Sequence, residues 1–187
     1  MTRLILVRHG ETDWNRDGRF QGQADPPMNA AGREQARLLG RQFRGRPVEA
    51  VYSSDLQRAA ETARLVAEML RLPVVLDPRL REIRLGAWEG RLVEEIIRQF
   101  PAEWEARQLD PLRSRAPLGE SVEEVAARVW QAADEIAARH PHGPVLVVAH
   151  GVSLATLRCR ARRIALNRVR EWIPENCEPD EIEWLAG

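Results

Sequence analysis

Lysine is missing altogether from these 187 residues: all 28 basic side chains are arginine, matched by 28 acidic ones. The resulting net charge of zero argues against a general nucleic-acid or anionic-membrane binder, while leaving room for a local basic pocket. Arginine without lysine fits genome composition and heat adaptation equally. Cysteine is nearly as scarce, with only Cys159 and Cys177 in the chain. They show no CxxC spacing and no metal-ligand arrangement, so reduced, structural thiols are expected. No apolar run approaches the ~18 residues of a membrane span. The opening stretch from Met1 to Val7 is too short, and lacks the small-residue cleavage site, for a signal peptide. The expected compartment is the cytoplasm. Repeats, low-complexity tracts, the GxxxxGK[ST] phosphate loop and HExxH are all lacking, which removes the simplest nucleotide-binding and zinc-protease readings.

What is there alternates between strand-like and helix-like segments, the pattern of an α/β fold with a mainly parallel sheet. The length suits one domain over residues 1–187. Leu4 to Val7 and Val145 to Ala149 are short, continuous apolar runs, as in strands covered on both faces. Val48 to Tyr52 and Pro73 to Leu76 are further strand candidates, and Ile182 to Leu185 reads as a late strand at a sheet edge. Asn29 is placed to cap a helix whose inner face carries Ala36, Leu39 and Phe43. Asp55 is placed to cap another, with Ala59, Ala63, Val66, Ala67 and Leu70 on one stripe. Ser121 and Glu124 have capping-box spacing ahead of Val122, Val125, Val129 and Ile136. Arg84 to Gly119, broken by Pro101, Pro111 and Pro117, reads as an irregular helical excursion over the sheet.

Ligands of open parallel sheets bind beyond the carboxyl ends of the strands. The first strand runs into Arg8-His9-Gly10 and the Val145 strand into His150-Gly151; the strand near Tyr52 leads to Ser53-Ser54-Asp55 and Arg58. Glu82 comes a few residues after the short Val74 region. Reactive residues from distant segments thus fall on one rim. His140 and His142, in a proline-containing loop, read as ordinary surface or core histidines. A cation at Arg58, in the first turn of a helix, opposes the helix dipole by roughly 0.3–1 kcal/mol. A bound anion at that helix start would reverse the sign. Two histidines and a carboxylate also suit zinc, but Arg8 and Arg58 would repel a metal ion. Arginines beside histidines point to an anion.

Five blocks carry a resemblance: Leu6-Val7-Arg8-His9-Gly10-Glu11-Thr12-Asp13-Trp14-Asn15; Arg19-Phe20-Gln21-Gly22; Tyr52-Ser53-Ser54-Asp55-Leu56-Gln57-Arg58-Ala59; Leu80-Arg81-Glu82-Ile83; and Val147-Val148-Ala149-His150-Gly151. In this order they resemble the signature of the histidine phosphatase superfamily, also called phosphoglycerate mutase-like. The resemblance implies a three-layer αβα sandwich and a phosphatase acting on small-molecule phosphate monoesters without metal or cofactor. By it, His9 attacks phosphorus and becomes a phosphohistidine. Arg8, Arg58 and His150 hold the phosphoryl oxygens, and Glu82 serves as proton donor and acceptor. Asn15, Gln21, Gly22 and Gly151 are implied phosphate or substrate contacts. Leu85 to Gly90 resembles the broad-specificity and α-ribazole phosphatase branches. Phosphoglycerate mutase is the alternative within the family, and a catalytically silent phosphate-binding or scaffold protein the alternative outside it. A homodimer is the candidate assembly. The chain departs from the pattern at Asn29, where relatives often have threonine, and at Ala149, which replaces a serine or threonine. Leu118 and Val152 stand where relatives often have glycine.

Overall fold

A computed structural model of the chain describes residues 1–185. Strand β1 (Thr2–Arg8) leads through a single helical turn, α1 (Asp13–Arg16), to α2 (Ala30–Phe43), β2 (Ala50–Ser53), α3 (Gln57–Leu70) and β3 (Val74–Leu76). Next comes the excursion, with α4 (Val93–Gln99) and α5 (Pro101–Leu109), and the chain returns through α6 (Val122–Arg139), β4 (Val145–Ala149), α7 (Gly151–Ala161) and β5 (Pro179–Trp184). The five strands lie in the order β3-β2-β4-β1-β5. The first four are mutually parallel, and β5 runs antiparallel to β1 at the edge. The expected late edge strand is therefore present. No helix among the described residues is long and apolar enough to cross a membrane.

The apolar runs become central strands because both faces of the sheet are covered. On β1, Leu4 and Leu6 face a cluster with Val125, Val129 and Leu154 from α6 and α7, while Ile5 and Val7 face Leu39, Phe43, Ala63 and Val66 from α2 and α3. Strand geometry sends alternate side chains to opposite faces, so a four-residue apolar run serves two layers at once. The result is a sandwich of helices, sheet and helices. Full burial of an aliphatic side chain contributes roughly 1.5–3 kcal/mol, and all four of these are at most 2% exposed.

The helix starts bear out two of the three expected caps. Asn29 accepts from the Gly32 amide at 2.8 Å, and Ser121 with Glu124 forms the complete capping box. Asp55 does not cap α3. The N-cap is Leu56, without a side-chain cap, and the Asp55 carboxylate is instead drawn to Arg81 by a two-pronged ion pair. Asp25, from the loop before α2, takes the Gln57 amide at 2.8 Å. The reason is competition: a guanidinium offers a carboxylate two charge-assisted bonds, more than one cap position does. Arg58 accordingly is the second residue of α3.

The 84–121 excursion is helical as expected and buries Leu85, Trp88 and Ile96 in the core cluster on the α6–α7 side. Pro101 opens α5, where its missing N–H costs nothing. Leu118, in place of a glycine, holds a left-handed backbone (φ 64°) with its side chain in solvent. Both cysteines are free thiols.

Candidate active site

Strand register brings the two histidines together. β1 and β4 are neighbours with Arg8 opposite Ala149, and the His9 amide donates to the Ala149 carbonyl at 3.0 Å. The next residue on each strand is a histidine, and the ring centroids lie 5.2 Å apart. β2 supplies the third neighbour: the Ser54 amide bonds the Val148 carbonyl, which sets the Ser54 hydroxyl 2.8 Å from His150 Nε2. Arg58 arrives in the first turn of α3.

The hydrogen bonds define the His9 tautomer. Nδ1 lies 2.8 Å from the Gly10 carbonyl, which only accepts, so Nδ1 carries the proton. Nε2 is left with its lone pair, and Arg58 Nε donates toward it at 3.3 Å. Burial, then the charges of Arg58 and Arg8, hold the imidazole well below its ordinary value despite the Gly10 carbonyl. His9 is thus a neutral imidazole whose lone-pair geometry is set by the backbone. Asn176 fixes the strand end by donating to the His9 carbonyl at 2.6 Å. Gly10 is required by close approach, because a Cβ there would press on the Gly32 carbonyl and lie 2.6 Å from Met28 Sδ.

Arg58 is fully buried, contrary to an ordinary solvated helix arginine. Its terminal nitrogens donate to the Ala24 and Gly22 carbonyls at 2.8 Å each, and burial pushes the guanidinium down to about 10. Gly22 reaches that position with a left-handed backbone (φ 56°). Arg8 donates to the Pro174 carbonyl at 2.9 Å and keeps a buried Nε without a partner among the described residues. His150 is also fully buried, with Nδ1 likewise unpartnered. Ser54 Oγ also accepts from the Leu56 amide at 3.3 Å. The Ser54 hydroxyl thereby fixes the orientation of the His150 ring through Nε2. Burial, then the Arg58 charge, holds this imidazole low as well.

Glu82 sits at the start of α7. Its carboxylate accepts from its neighbour Ile83 at 2.9 Å, from Val152 at 3.1 Å and from Ser153 at 3.2 Å, an arrangement that complements the helix dipole. Gly151 lies beside Glu82 and Arg8, and a Cβ there would crowd Ile173 Cγ2 at 3.1 Å while only touching Glu82 Oε2 at 3.4 Å. Asn15 and Gln21 are oriented by Thr12, whose hydroxyl lies 3.1 Å from both amide oxygens. Their NH₂ groups remain for a ligand.

Arg8, His9, Asn15, Gln21, Gly22, Arg58, Glu82 and Gly151 all line one cavity of about 300 Å³. His150 lies against His9 and does not itself line that cavity. Trp14 does line it, whereas Trp88 is core. The lining carries four arginines (Arg8, Arg19, Arg58, Arg107) and one carboxylate, Glu82. Among the described residues, no group of three or more His, Cys, Asp or Glu is placed to hold a metal ion. The chemistry on offer is an imidazole lone pair and a carboxylate in a field that attracts anions.

Sequence reasoning misses several contributors. Ser54 and Thr12 orient other side chains, and Arg128 grips the Arg79, Arg81 and Glu82 carbonyls at 2.6–2.9 Å. Thr12 and Asn15 have the spacing of a helix cap, a usable signal. Nothing local marks Arg128, which reaches Glu82 across 46 residues. His140 is held between Tyr52 and Glu49, far from this chemistry, as an ordinary structural histidine.

Comparisons with known proteins identify the family. Residues 4–187 match the family described as histidine phosphatase superfamily (branch 1). The chain is 36% identical over 168 residues to phosphoserine phosphatase 1 of Hydrogenobacter thermophilus, covering 90% of this chain and 80% of that protein. It is 36% identical over 193 residues to the probable phosphoglycerate mutase GpmB of Serratia proteamaculans, covering 100% and 89%. The crystal structure of a putative alpha-ribazole-5'-P phosphatase from Escherichia coli superposes with a TM-score of 0.89 at 30% identity, over 96% of this chain and 89% of that one.

Proposed function

The chain belongs to the histidine phosphatase superfamily, branch 1, and on that premise we infer that it hydrolyses small-molecule phosphate monoesters through a phosphohistidine, without a metal ion. The observation that carries the reading is the His9 tautomer: Nδ1 is committed to the Gly10 carbonyl, and Nε2 keeps its lone pair beside Arg58. In the first step Nε2 attacks phosphorus, an N–P bond forms and the ester P–O bond breaks. The departing oxygen takes a proton from Glu82. In the second step water attacks phosphorus, the N–P bond breaks, Glu82 takes the proton, and Nε2 recovers its lone pair. Arg8, Arg58 and His150 stabilise the charge on the non-bridging oxygens, with Asn15, Gln21, Gly22 and Gly151 completing the contacts. Such preorganised donors are usually the largest single source of acceleration.

The charges of Arg58 and Arg8 bear directly on His9 and would repel a metal ion there, which supports metal independence. The relative named as a phosphoserine phosphatase supports hydrolysis, and the one named as a probable phosphoglycerate mutase supports the second reading. A mutase must shield its phosphohistidine from water and retain the intermediate. Here the excursion between Arg84 and Ser121 is short, which favours release to water. The test incubates the protein with 3-phosphoglycerate, with and without 2,3-bisphosphoglycerate. Phosphate release should exceed 3-to-2 interconversion by at least roughly tenfold, a barrier difference near 1.4 kcal/mol. Interconversion outrunning release would make the protein a mutase. The same reading takes the cytoplasm as the compartment.

A further inference from the structure

The two peptide groups around Gly10 are each held at both ends. In the peptide that joins His9 to Gly10, the carbonyl accepts from Asn176 at 2.6 Å and the amide donates to the Thr62 hydroxyl at 2.9 Å. In the next, which joins Gly10 to Glu11, the carbonyl lies 2.8 Å from His9 Nδ1, and the Glu11 amide donates to Gln35 Oε1 at 3.0 Å. Thr62 stands on α3, Asn176 ahead of β5 and Gln35 on α2. The fourth partner is the His9 ring itself. Of the four, it alone has a hydrogen-bonding character that can invert, since a neutral imidazole either donates or accepts at Nδ1.

A single peptide thus links α2 to the nucleophile. The N–H and C=O of a planar trans peptide point in opposite directions, so the bond at one end sets what the other end offers. With its N–H on Gln35, the peptide shows His9 a carbonyl, and Nδ1 must donate. Turned over, the same peptide would show His9 an N–H; Nδ1 would then accept and the proton would move to Nε2. An Nε2 that carries the proton has no lone pair with which to attack phosphorus. Glycine at position 10 supplies no side-chain preference between the two orientations. The Glu11 amide is part-buried, and a donor there is costly to leave without an acceptor. Without Gln35 Oε1, it gains one by turning toward the imidazole. Arg58 Nε also faces Nε2 with an N–H, so loss of Gln35 should mix the tautomers and not exchange them outright.

We propose that Gln35 is a positioning residue: it holds the Gly10–Glu11 peptide in the orientation that keeps the His9 proton on Nδ1 and the lone pair on Nε2. Its effect on turnover rests on the phosphatase reading; its effect on the tautomer does not. The test uses protein with isotopically labelled imidazole nitrogens. Long-range proton–nitrogen spectra at neutral pH separate the two tautomers, and His9 is identified by the signals missing from His9→Ala. Wild type should show a protonated Nδ1 and a bare Nε2. Gln35→Leu should show a mixture, with kcat for p-nitrophenyl phosphate lower by roughly tenfold or more, as for a misplaced reacting group, and with inorganic phosphate bound as before. Gln35→Glu, whose carboxylate only accepts, should recover most of the tautomer and of the turnover. Gln35→Lys, which only donates, should repeat the loss, and it stands in if the leucine variant misfolds. A His9 proton that stays on Nδ1 in both loss variants, or that sits on Nε2 in wild type, overturns the proposal. Mixed tautomers with turnover unchanged support the role of Gln35 and remove Nε2 as the nucleophile. If wild type hydrolyses no ester, the phosphatase reading fails separately, and the spectra still decide for or against Gln35.

Discussion

Replacing Glu82 by glutamine preserves the shape of the side chain and removes its proton chemistry. The carboxylate accepts three backbone amides, from Ile83, Val152 and Ser153, at 2.9–3.2 Å. A glutamine keeps one oxygen for them and turns an NH₂ group toward at least one donor. Exchanging bonds to a charged acceptor for neutral ones costs about 1–2 kcal/mol, too little to unfold a domain stable by roughly 5–15 kcal/mol. The kinetic effect should be larger and should depend on the leaving group. An alkoxide must be protonated as it departs, so loss of the acid should slow phosphorylation of His9 by glycerol 3-phosphate about 10²–10⁴-fold. p-Nitrophenolate leaves without a proton, and its phosphorylation step should slow by less than about tenfold. Rapid-quench measurement of phosphoenzyme formation isolates this step from the later attack of water. Equal slowing with both esters would refute Glu82 as the acid; it would mean that the carboxylate acts by holding the start of α7 in place.

Arg58→Ala should lower turnover about 10²–10³-fold, the scale for losing a preorganised donor. Because the Arg58 charge favours the neutral His9 imidazole, its removal raises the His9 pKa, and the acid limb of kcat/KM should move to higher pH; an unmoved limb would show that the two do not interact. Gly10→Ala should destabilise the protein by about 1–3 kcal/mol through overpacking against the Gly32 backbone, read as a fall of roughly 3–10 °C in Tm. An unchanged melting curve would mean that the contact relaxes freely. Activity should survive dialysis against EDTA and gain nothing from added zinc, magnesium or manganese. Loss on chelation, restored by one of these ions, would assign the chemistry to a metal.

The central strands and the main helices were legible because their signals are local. A continuous run such as Val145 to Ala149 has no polar side to expose, so it must be covered on both faces. Asn29 and Ser121 lie within three residues of the amides they cap. Asp55 had the same local credentials and failed as a cap, because Arg81, 26 residues away, made the stronger bid for its carboxylate. The cap for α3 came from Asp25, 32 residues before the amide it accepts.

The same division runs through the site. The strands and the residues at their carboxyl ends are written in the sequence, and they put His9, Arg58, Glu82 and His150 on one rim. Their chemistry is decided elsewhere. Which nitrogen of His9 carries a lone pair depends on the Gly10 carbonyl lying against Nδ1. The His150 ring is held by Ser54 across 96 residues, and Glu82 is steadied by Arg128. Arg107 reads in the sequence as one more helix arginine; packing among three aromatic rings, without an ion pair among the described residues, leaves its Nη1 an unsatisfied donor. Hydrogen bonds and burial are properties of pairs, and a pair brought together from distant segments leaves no local trace. Sequence alone determined which groups this protein can use, and tertiary packing decided which of their atoms remain free.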